Sequence, residues 1–279
     1  MHLIMIVAAF FIAYSTRCQW RLPQGSWSQR WQTALFLFLF PPLLIFMTAI
    51  ALICMGPQGK MSGLHTGWFS YVLALSSLAF FAALCIKLAW GGWQSVKSTR
   101  NCPLVNLTGK QARLLDTKAL FAGQIGFWQP ELVLSQGLLQ TLSPEQLETV
   151  LAHEQGHYHY RDTFWFFWLG WMRSCTAWLP YTEALWQELL VLRELRADAH
   201  AASQVDPLLL AESLLLVVSS SPVSSEIFCA ALGSSGVERL EQRIEALLAQ
   251  PEPIPEVQLQ SWNGFLLAFL PLVTVIFHT

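Results

Sequence analysis

The chain has 279 residues, of which 54% are hydrophobic and only 12% are charged, about half the charged fraction of an ordinary soluble domain. Its formal net charge of −2 gives no electrostatic basis for binding nucleic acid, so direct contact with nucleic acid is not expected. No Asp or Glu precedes Asp116, and this uneven distribution indicates a membrane part followed by a water-facing domain.

Two apolar runs, Ala34–Met55 and Trp68–Ala89, are long enough to cross a bilayer, which needs about 20 apolar residues. The Pro41–Pro42 pair predicts a kink in the first run, where neighbouring helices can satisfy the freed carbonyls. Shorter runs at Leu3–Tyr14 and Gly264–Phe277 are expected to cross as well. A secretory signal is the alternative for Leu3–Tyr14, but the basic segment and the small-residue cleavage site of a signal are missing.

Loop charges predict the orientation of these spans. Loop 15–33 carries three arginines and no acid, and four more basic residues lie between 97 and 113. The positive-inside rule then places the N-terminus outside and everything from about residue 91 onward inside. We therefore predict three transmembrane helices in residues 1–93, a cytoplasmic domain in 94–256 and a fourth transmembrane helix in 257–279, in the plasma or inner membrane. The six cysteines show no Cys-x-x-Cys spacing, which fits a reduced, cytosol-facing compartment.

A further apolar stretch, residues 164–180, has the sequence FWFFWLGWMRSCTAWLP. Its tryptophans and Arg173 favour an interfacial or re-entrant segment. A true membrane crossing is the alternative, and it would separate Glu154 from everything that follows Pro180.

A helix is predicted over Leu147–His159. Ser143 is suited to the N-cap position, Pro144 to the first helical position, and Glu145 and Gln146 to the first turn.

The motif on this helix is His-Glu-x-x-His. His153 and His157 are separated by one turn and share a face, so both imidazoles can bind one metal ion. Glu154 is rotated from His153 by about 100°, which lets it reach a water at the metal without being a ligand. The alternative interpretation is the polar rim of a buried helix.

A second helical stretch, Val191–His200, carries Glu194 and Asp198 one turn apart. A carboxylate from this stretch would complete a His₂Glu set and leave a fourth position for water, as a catalytic zinc requires. The other carboxylate can accept the ring N–H of a ligand histidine. In the alternative, Arg193 and Arg196 pair with these acids on an exposed face.

The sequence LAHEQGHYHYRD, followed by ELRAD, resembles the membrane-embedded gluzincin metallopeptidases. The order of three spans, a zinc domain and a last span is most similar to the BlaR-type antirepressor peptidases, with HtpX and the CAAX-prenyl-protease relatives second. The resemblance implies a mainly α, multi-pass membrane protein with a small α+β gluzincin zinc-peptidase domain. It implies that one Zn²⁺ per chain is held by His153, His157 and Glu194, that Glu154 is the general base, that Asp198 is a supporting residue and that Asp162 braces the helix end.

By the same resemblance the function would be a zinc metalloendopeptidase acting in signal transduction, through regulated proteolysis of a cytosolic DNA-binding repressor. The partners would be that protein or peptide substrate and the lipid bilayer, and a homo-oligomer is compatible with the sequence. An HtpX-like quality-control protease and a non-catalytic signalling protein with a vestigial zinc site are the alternatives.

Three smaller questions stay open in the sequence. The strand Glu131–Ser135 either offers an edge to which a substrate adds or is an ordinary buried strand. The amphipathic stretch Glu238–Gln250 either packs the domain or docks a partner. Four residues are candidates for stabilising an oxyanion: Tyr158, His159, Arg196 and His200.

Overall fold

The computed structural model describes residues 2–21, 25–57, 60–61, 64–65, 68–107, 109–220, 236–249 and 263–277. Within these residues the chain is mostly helical with a small mixed sheet, which confirms the predicted mainly α class with a small α+β region. The chain divides into two units. Unit 1 consists of Met1–Leu88, Leu169–Leu189 and Ile254–Thr279, and unit 2 consists of Ala89–Trp168 and Leu190–Pro253.

The helices and strands of the described chain have the following bounds. The helices are α1 (His2–Cys18), α2 (Trp27–Met55), α3 (Trp68–Arg100), α4 (Gln136–Thr141), α5 (Pro144–His159), α6 (Asp162–Cys175), α7 (Thr182–Ala202), α8 (Pro207–Ser220), α9 (Gly236–Leu248), α10 (Asn263–Leu266) and α11 (Leu270–Val273). The strands are β1 (Lys60–Met61), β2 (Leu64–His65), β3 (Leu104–Leu107), β4 (Lys110–Leu115), β5 (Ala122–Ile125) and β6 (Glu131–Ser135).

Two helices of the described chain, α2 and α3, are long and apolar enough to cross a membrane. This confirms the two long apolar helices, although α3 continues past the predicted end at Ala89 to Arg100. The terminal runs are shorter: α1 has 17 residues, and residues 263–277 form α10 and α11 with 3₁₀ turns after each. Membrane crossing by these two terminal segments remains a prediction.

The kink-forming prolines of α2 are accommodated by an arginine from α1. Pro42 has no N–H, so the carbonyl of Phe38 loses its helical donor. Arg17, which is fully buried, donates from its guanidinium to this carbonyl at 3.0 Å and to Thr182 Oγ1 at 3.1 Å. A neighbouring helix therefore satisfies the carbonyl, as the sequence led us to expect, and ties α1, α2 and the start of α7 together.

The apolar stretch 164–180 covers all but the first two residues of the 14-residue α6, together with the turn into α7. Its second half lies in unit 1, where Trp171 donates from its indole N–H to the carbonyl of Phe81 at 2.9 Å. A little further along, Glu188 of α7 forms an ion pair with Arg30 at 2.7 Å. The chain thus enters unit 1 within α6 and leaves it within α7.

The sheet of unit 2 has the strand order β3-β4-β6-β5, with β6 parallel to β4 and antiparallel to β5. Both edges of β6 are therefore paired, and Val133 and Leu134 at its centre are completely buried. Of the two interpretations of Glu131–Ser135, the free edge is wrong and the ordinary buried strand is confirmed, because β4 pairs with one side of β6 and β5 with the other. The edge strand next to β6 is β5.

Helix α5 packs on both sides within unit 2. Val150 and Leu151 join the apolar cluster beneath the sheet, and Ala152 packs with Leu210 of α8 and Leu247 of α9. The domain-packing interpretation of the amphipathic stretch 238–250 therefore agrees with the apolar face of α9. Two faces of α5 are thus covered by apolar contacts. The remaining face is available to polar side chains that point into the domain.

Candidate metal centre

Helix α5 begins as its sequence predicts. Ser143 caps it, Pro144 stands in the first turn, and the Ser143 and Gln146 side chains each accept a hydrogen bond from the backbone N–H of the other residue. This capping box defines where the helix begins. From that start, His153 and His157 fall on the same face about three and four turns later.

Close contact between α5 and α7 brings the second helix to this face. A Cβ added to Gly156 would lie only 3.0 Å from Cα and 3.1 Å from the carbonyl oxygen of Ala197. A larger residue at either position would push the helices apart. Glu194 and Asp198 flank Ala197 on α7, so the small pair Gly156 and Ala197 determines how near these carboxylates come to the histidines.

The candidate ligand atoms converge. Nε2 of His153 lies 3.1 Å from Nε2 of His157 and 3.4 Å from Oε2 of Glu194, and Nε2 of His157 lies 3.7 Å from Oε1 of Glu194. A tetrahedral zinc with bonds of about 2.0–2.1 Å needs ligand atoms about 3.3 Å apart. The two nitrogens and the Glu194 carboxylate therefore lie close enough together to hold one metal ion, with separations near those of a zinc site.

The outer nitrogen of each imidazole faces a carboxylate. Nδ1 of His157 lies 2.7 Å from Oδ2 of Asp162 and Nδ1 of His153 lies 2.8 Å from Oδ1 of Asp198, although the second contact is poorly aligned for a hydrogen bond. A proton on Nδ1 leaves the lone pair on Nε2, which is the tautomer that binds a metal. Asp162, expected to brace the helix end, thus lies directly behind His157.

Electrostatics in the cluster favour positive charge. Burial disfavours a charged imidazole, but Glu194 and Asp162 outweigh it and raise the pKa of His157 to about 10. Burial also opposes charge on His153, yet Asp198 holds the pKa of that imidazole above its ordinary value. Glu194 shows the opposite direction: burial would raise its pKa, but Arg193 and His157 hold it well below the usual range. The carboxylates around the two imidazoles therefore stabilise positive charge on these rings.

Glu154 is buried beside this cluster, with 6% of its surface exposed. Among the described residues no group forms a hydrogen bond with its Oε2 atom, while its backbone carbonyl accepts from Gln124 Nε2 of β5 at 3.3 Å. A buried carboxylate oxygen without a donor is costly, and such an atom is available to a proton or a water. The donor set and this orphaned oxygen together fit a catalytic metal site.

A comparison with known families agrees with this arrangement. Residues 110–211 match the model of Peptidase family M48. The match supports a gluzincin metallopeptidase of membrane type, and peptidases of this family depend on zinc. The matched segment runs from β4 into α8 and contains all six residues singled out in the sequence. No curated protein and no solved structure matches the chain.

The convergence of these residues also bears on the apolar stretch 164–180. His153 and Glu194 are on either side of it in the chain, yet they belong to one cluster. A single membrane crossing between them would place them on opposite sides of a bilayer. The cluster therefore favours the interfacial or re-entrant interpretation, and α6 at 14 residues is shorter than the roughly 30 Å of a hydrocarbon core requires. How this stretch lies relative to a bilayer remains a prediction.

The alternative in which the arginines of α7 pair with the nearby acids holds in part. Arg193 donates to Oε1 of Glu194 at 2.7 Å, and Arg196 forms an ion pair with Asp162. These pairs coexist with the imidazole contacts of the same carboxylates. Pairing with arginine thus contributes to holding the acids in place.

The candidates for oxyanion stabilisation are dispersed around the site. His159 and His200 stack on each other with ring centroids 4.9 Å apart, and Arg196 lies over the ring of Tyr160. Tyr158 is 56% exposed on the surface of α5. None of these contacts singles out one of the four as an oxyanion donor.

Arg243 of α9 lies outside the M48 match, and the sequence analysis missed it. Its guanidinium donates twice to Asp198, at 2.6 and 2.8 Å, and lies 3.4 Å from Oε2 of Glu194. Burial opposes its charge, but Asp198 and Glu194 raise its pKa above the ordinary value. Arg243 therefore positions the carboxylate behind His153. The sequence shows Arg243 only as one basic residue of an amphipathic helix, and this pattern does not reveal that its side chain turns inward.

Replacing Arg243 should weaken the metal site. In Arg243→Gln the buried Asp198 loses its bidentate partner, and we expect metal affinity to fall about tenfold or more, as for other residues that support metal ligands. Competition with a chromogenic chelator measures the affinity. Arg243→Lys should recover part of the loss, whereas Glu245→Gln, on the exposed face of α9, should behave as wild type. Equal affinities for Arg243→Gln and wild type would show that this residue only packs the domain.

Proposed function

We propose that the chain is an integral-membrane zinc metalloendopeptidase that acts on protein or peptide substrates at the cytoplasmic face of the plasma or inner membrane. Its role would be the regulated proteolysis of a cytosolic DNA-binding repressor. The observation that carries the enzymatic part is the convergence of two Nε2 atoms and the Glu194 carboxylate within 4.8 Å of one another, next to the unpartnered oxygen of Glu154.

The residues of the site would have different roles. His153, His157 and Glu194 would hold one zinc ion, and Asp198 and Asp162 would fix the two imidazoles in the tautomer that presents Nε2. When bound, zinc supplies Lewis-acid polarisation of a carbonyl and activates water near neutral pH. Burial excludes bulk solvent from this cluster, and the cationic neighbours of Glu194 and Asp198 lower the pKa of these two carboxyl groups and so keep them charged.

Glu154 would move the proton. Its free Oε2 accepts a proton from the attacking water as the water oxygen bonds to the scissile carbonyl carbon. The same oxygen then gives this proton to the amine nitrogen as the C–N bond breaks. The carboxylate is restored at the end of each cycle, so no other proton carrier is required.

Strand β5 is the element best placed to hold substrate backbone. It ends the four-stranded sheet, and Gln124 within it contacts the backbone of Glu154. An extended peptide that adds to the outer edge of β5 would form main-chain hydrogen bonds and run beside the helix that carries the base.

The proposed topology follows the sequence: spans within residues 1–93 and 257–279, with the catalytic residues in 94–256 on the cytoplasmic side. The two long apolar helices α2 and α3 support a membrane location. Positive charge in the loops supports the orientation.

Mapping of new protein N-termini in cells that express wild type or Glu154→Gln tests the physiological role. We expect one or a few termini that depend on the wild type and lie within a cytosolic DNA-binding protein. Wild-type-dependent termini spread over many membrane proteins would instead favour HtpX-like quality control. Identical termini in both strains would favour a signalling protein with a vestigial site.

A further inference from the structure

Aromatic side chains form an exposed patch on unit 2, outside the metal centre. Trp128 in the loop after β5 is 75% exposed, and Trp165 and Trp168 on α6 are 56% and 36% exposed. Ring contacts through Phe127 and Phe164, with centroids 4.9–5.3 Å apart, join Trp128 to Trp165, and the ring of Trp168 lies 6.2 Å from that of Phe127. We call these three indoles and their two supporting rings the aromatic patch.

A cavity of about 350 Å³ opens beside the aromatic patch, and its lining includes Trp128, Phe164, Arg161 and Thr163. Two polar groups there lack partners. Within the described chain, the exposed guanidinium of Arg161 forms no hydrogen bond or ion pair, and the buried hydroxyl of Thr163 has no hydrogen-bond partner. An arginine and a hydroxyl at one cavity are suited to a phosphate.

The backbone at Arg161 is also unusual. Its φ of 53° lies in the left-handed region, which a non-glycine residue adopts at a cost. This conformation separates α5 from α6 and carries the guanidinium to the cavity. Strain of this kind commonly persists at ligand-binding positions.

We propose that the cavity binds the phosphate headgroup of an anionic phospholipid while the aromatic patch lies in the bilayer interface. Indole rings prefer the headgroup level of a membrane, and arginine at that level meets lipid phosphate. Helix α6, which carries Trp165 and Trp168, continues without interruption into Leu169–Leu189, a segment of unit 1, and the same unit contains α2 and the larger part of α3.

The full chain in nanodiscs and native mass spectrometry test this site. The probes are phosphatidylglycerol and phosphatidylcholine, supplied in equal amounts and followed as lipid retained after release from the disc. Wild type should retain phosphatidylglycerol preferentially. Arg161→Gln should retain about fivefold less, and Lys118→Gln, which removes an exposed charge elsewhere on unit 2, should match wild type.

Hydrogen exchange of residues 126–130 supplies an independent readout. We expect this loop to exchange more slowly in discs than in detergent, and Trp128→Ala should reduce the difference. Equal retention of both lipids by wild type and Arg161→Gln, or exchange that is the same in both media, would overturn the proposal. A lipid-independent rise in KM for a peptide on Trp128→Ala would instead assign the patch to substrate. Lipid retention and exchange need no turnover, so they stand apart from the peptidase proposal.

Discussion

Glu154→Gln should abolish peptide-bond hydrolysis and leave the metal in place. Glutamine keeps the size of the side chain and a carbonyl oxygen, but it cannot take a proton from water at neutral pH. General-base catalysis contributes about 10²–10⁴-fold, so we expect the turnover rate to fall by roughly a thousandfold. Hydrolysis of a fluorogenic peptide library by the purified full chain measures the rate, and the zinc content is measured on the same samples.

Glu148→Gln is the matched control for this substitution, because Glu148 is an exposed glutamate on the same helix. It should have the rate and zinc content of wild type. Undiminished hydrolysis by Glu154→Gln would contradict the assigned base. Loss of zinc from Glu154→Gln would show that this carboxylate is a ligand instead.

Glu194→Gln should remove the metal. The neutral amide is a poor zinc ligand, and the substitution also removes the charge that stabilises a cation between His153 and His157. Residues that only support metal ligands cost about 10–100-fold in affinity, so loss of a ligand should cost at least a hundredfold. Equilibrium dialysis against a zinc buffer measures this affinity, and hydrolysis should fall in parallel at limiting zinc.

Glu183→Gln provides the comparison on the same helix. Glu183 is exposed and pairs with Arg173, so its substitution should change neither affinity nor rate. If Glu194→Gln bound zinc as tightly as wild type, the third ligand would have to be another residue, and the arrangement of α5 and α7 would need a different explanation.

Much of this site could be predicted because its signals are local. The cap at Ser143 and the one-turn spacing of His153 and His157 are properties of a single helix. Glu194 and Asp198 show the same spacing on a second helix. Once a helix is recognised, its geometry fixes which side chains share a face.

Other features depend on contacts between distant segments and could not be predicted. Arg243 reaches Asp198 from 45 residues away, and an amphipathic pattern does not reveal which polar residue turns inward. The strand order that encloses β6 depends on pairing with β4 and β5, which the composition of β6 does not specify. The close approach at Gly156 likewise becomes visible only when Ala197 is opposite.

X-ray absorption at the zinc edge of the purified full chain, with metal content determined on the same sample, tests the central claim most directly. The account predicts about one zinc per chain with two imidazole nitrogens, carboxylate oxygen and no sulfur in its coordination shell, and the same spectrum for Glu148→Gln. A shell that contains sulfur or a single imidazole, or a chain that takes up no zinc at all, would contradict it.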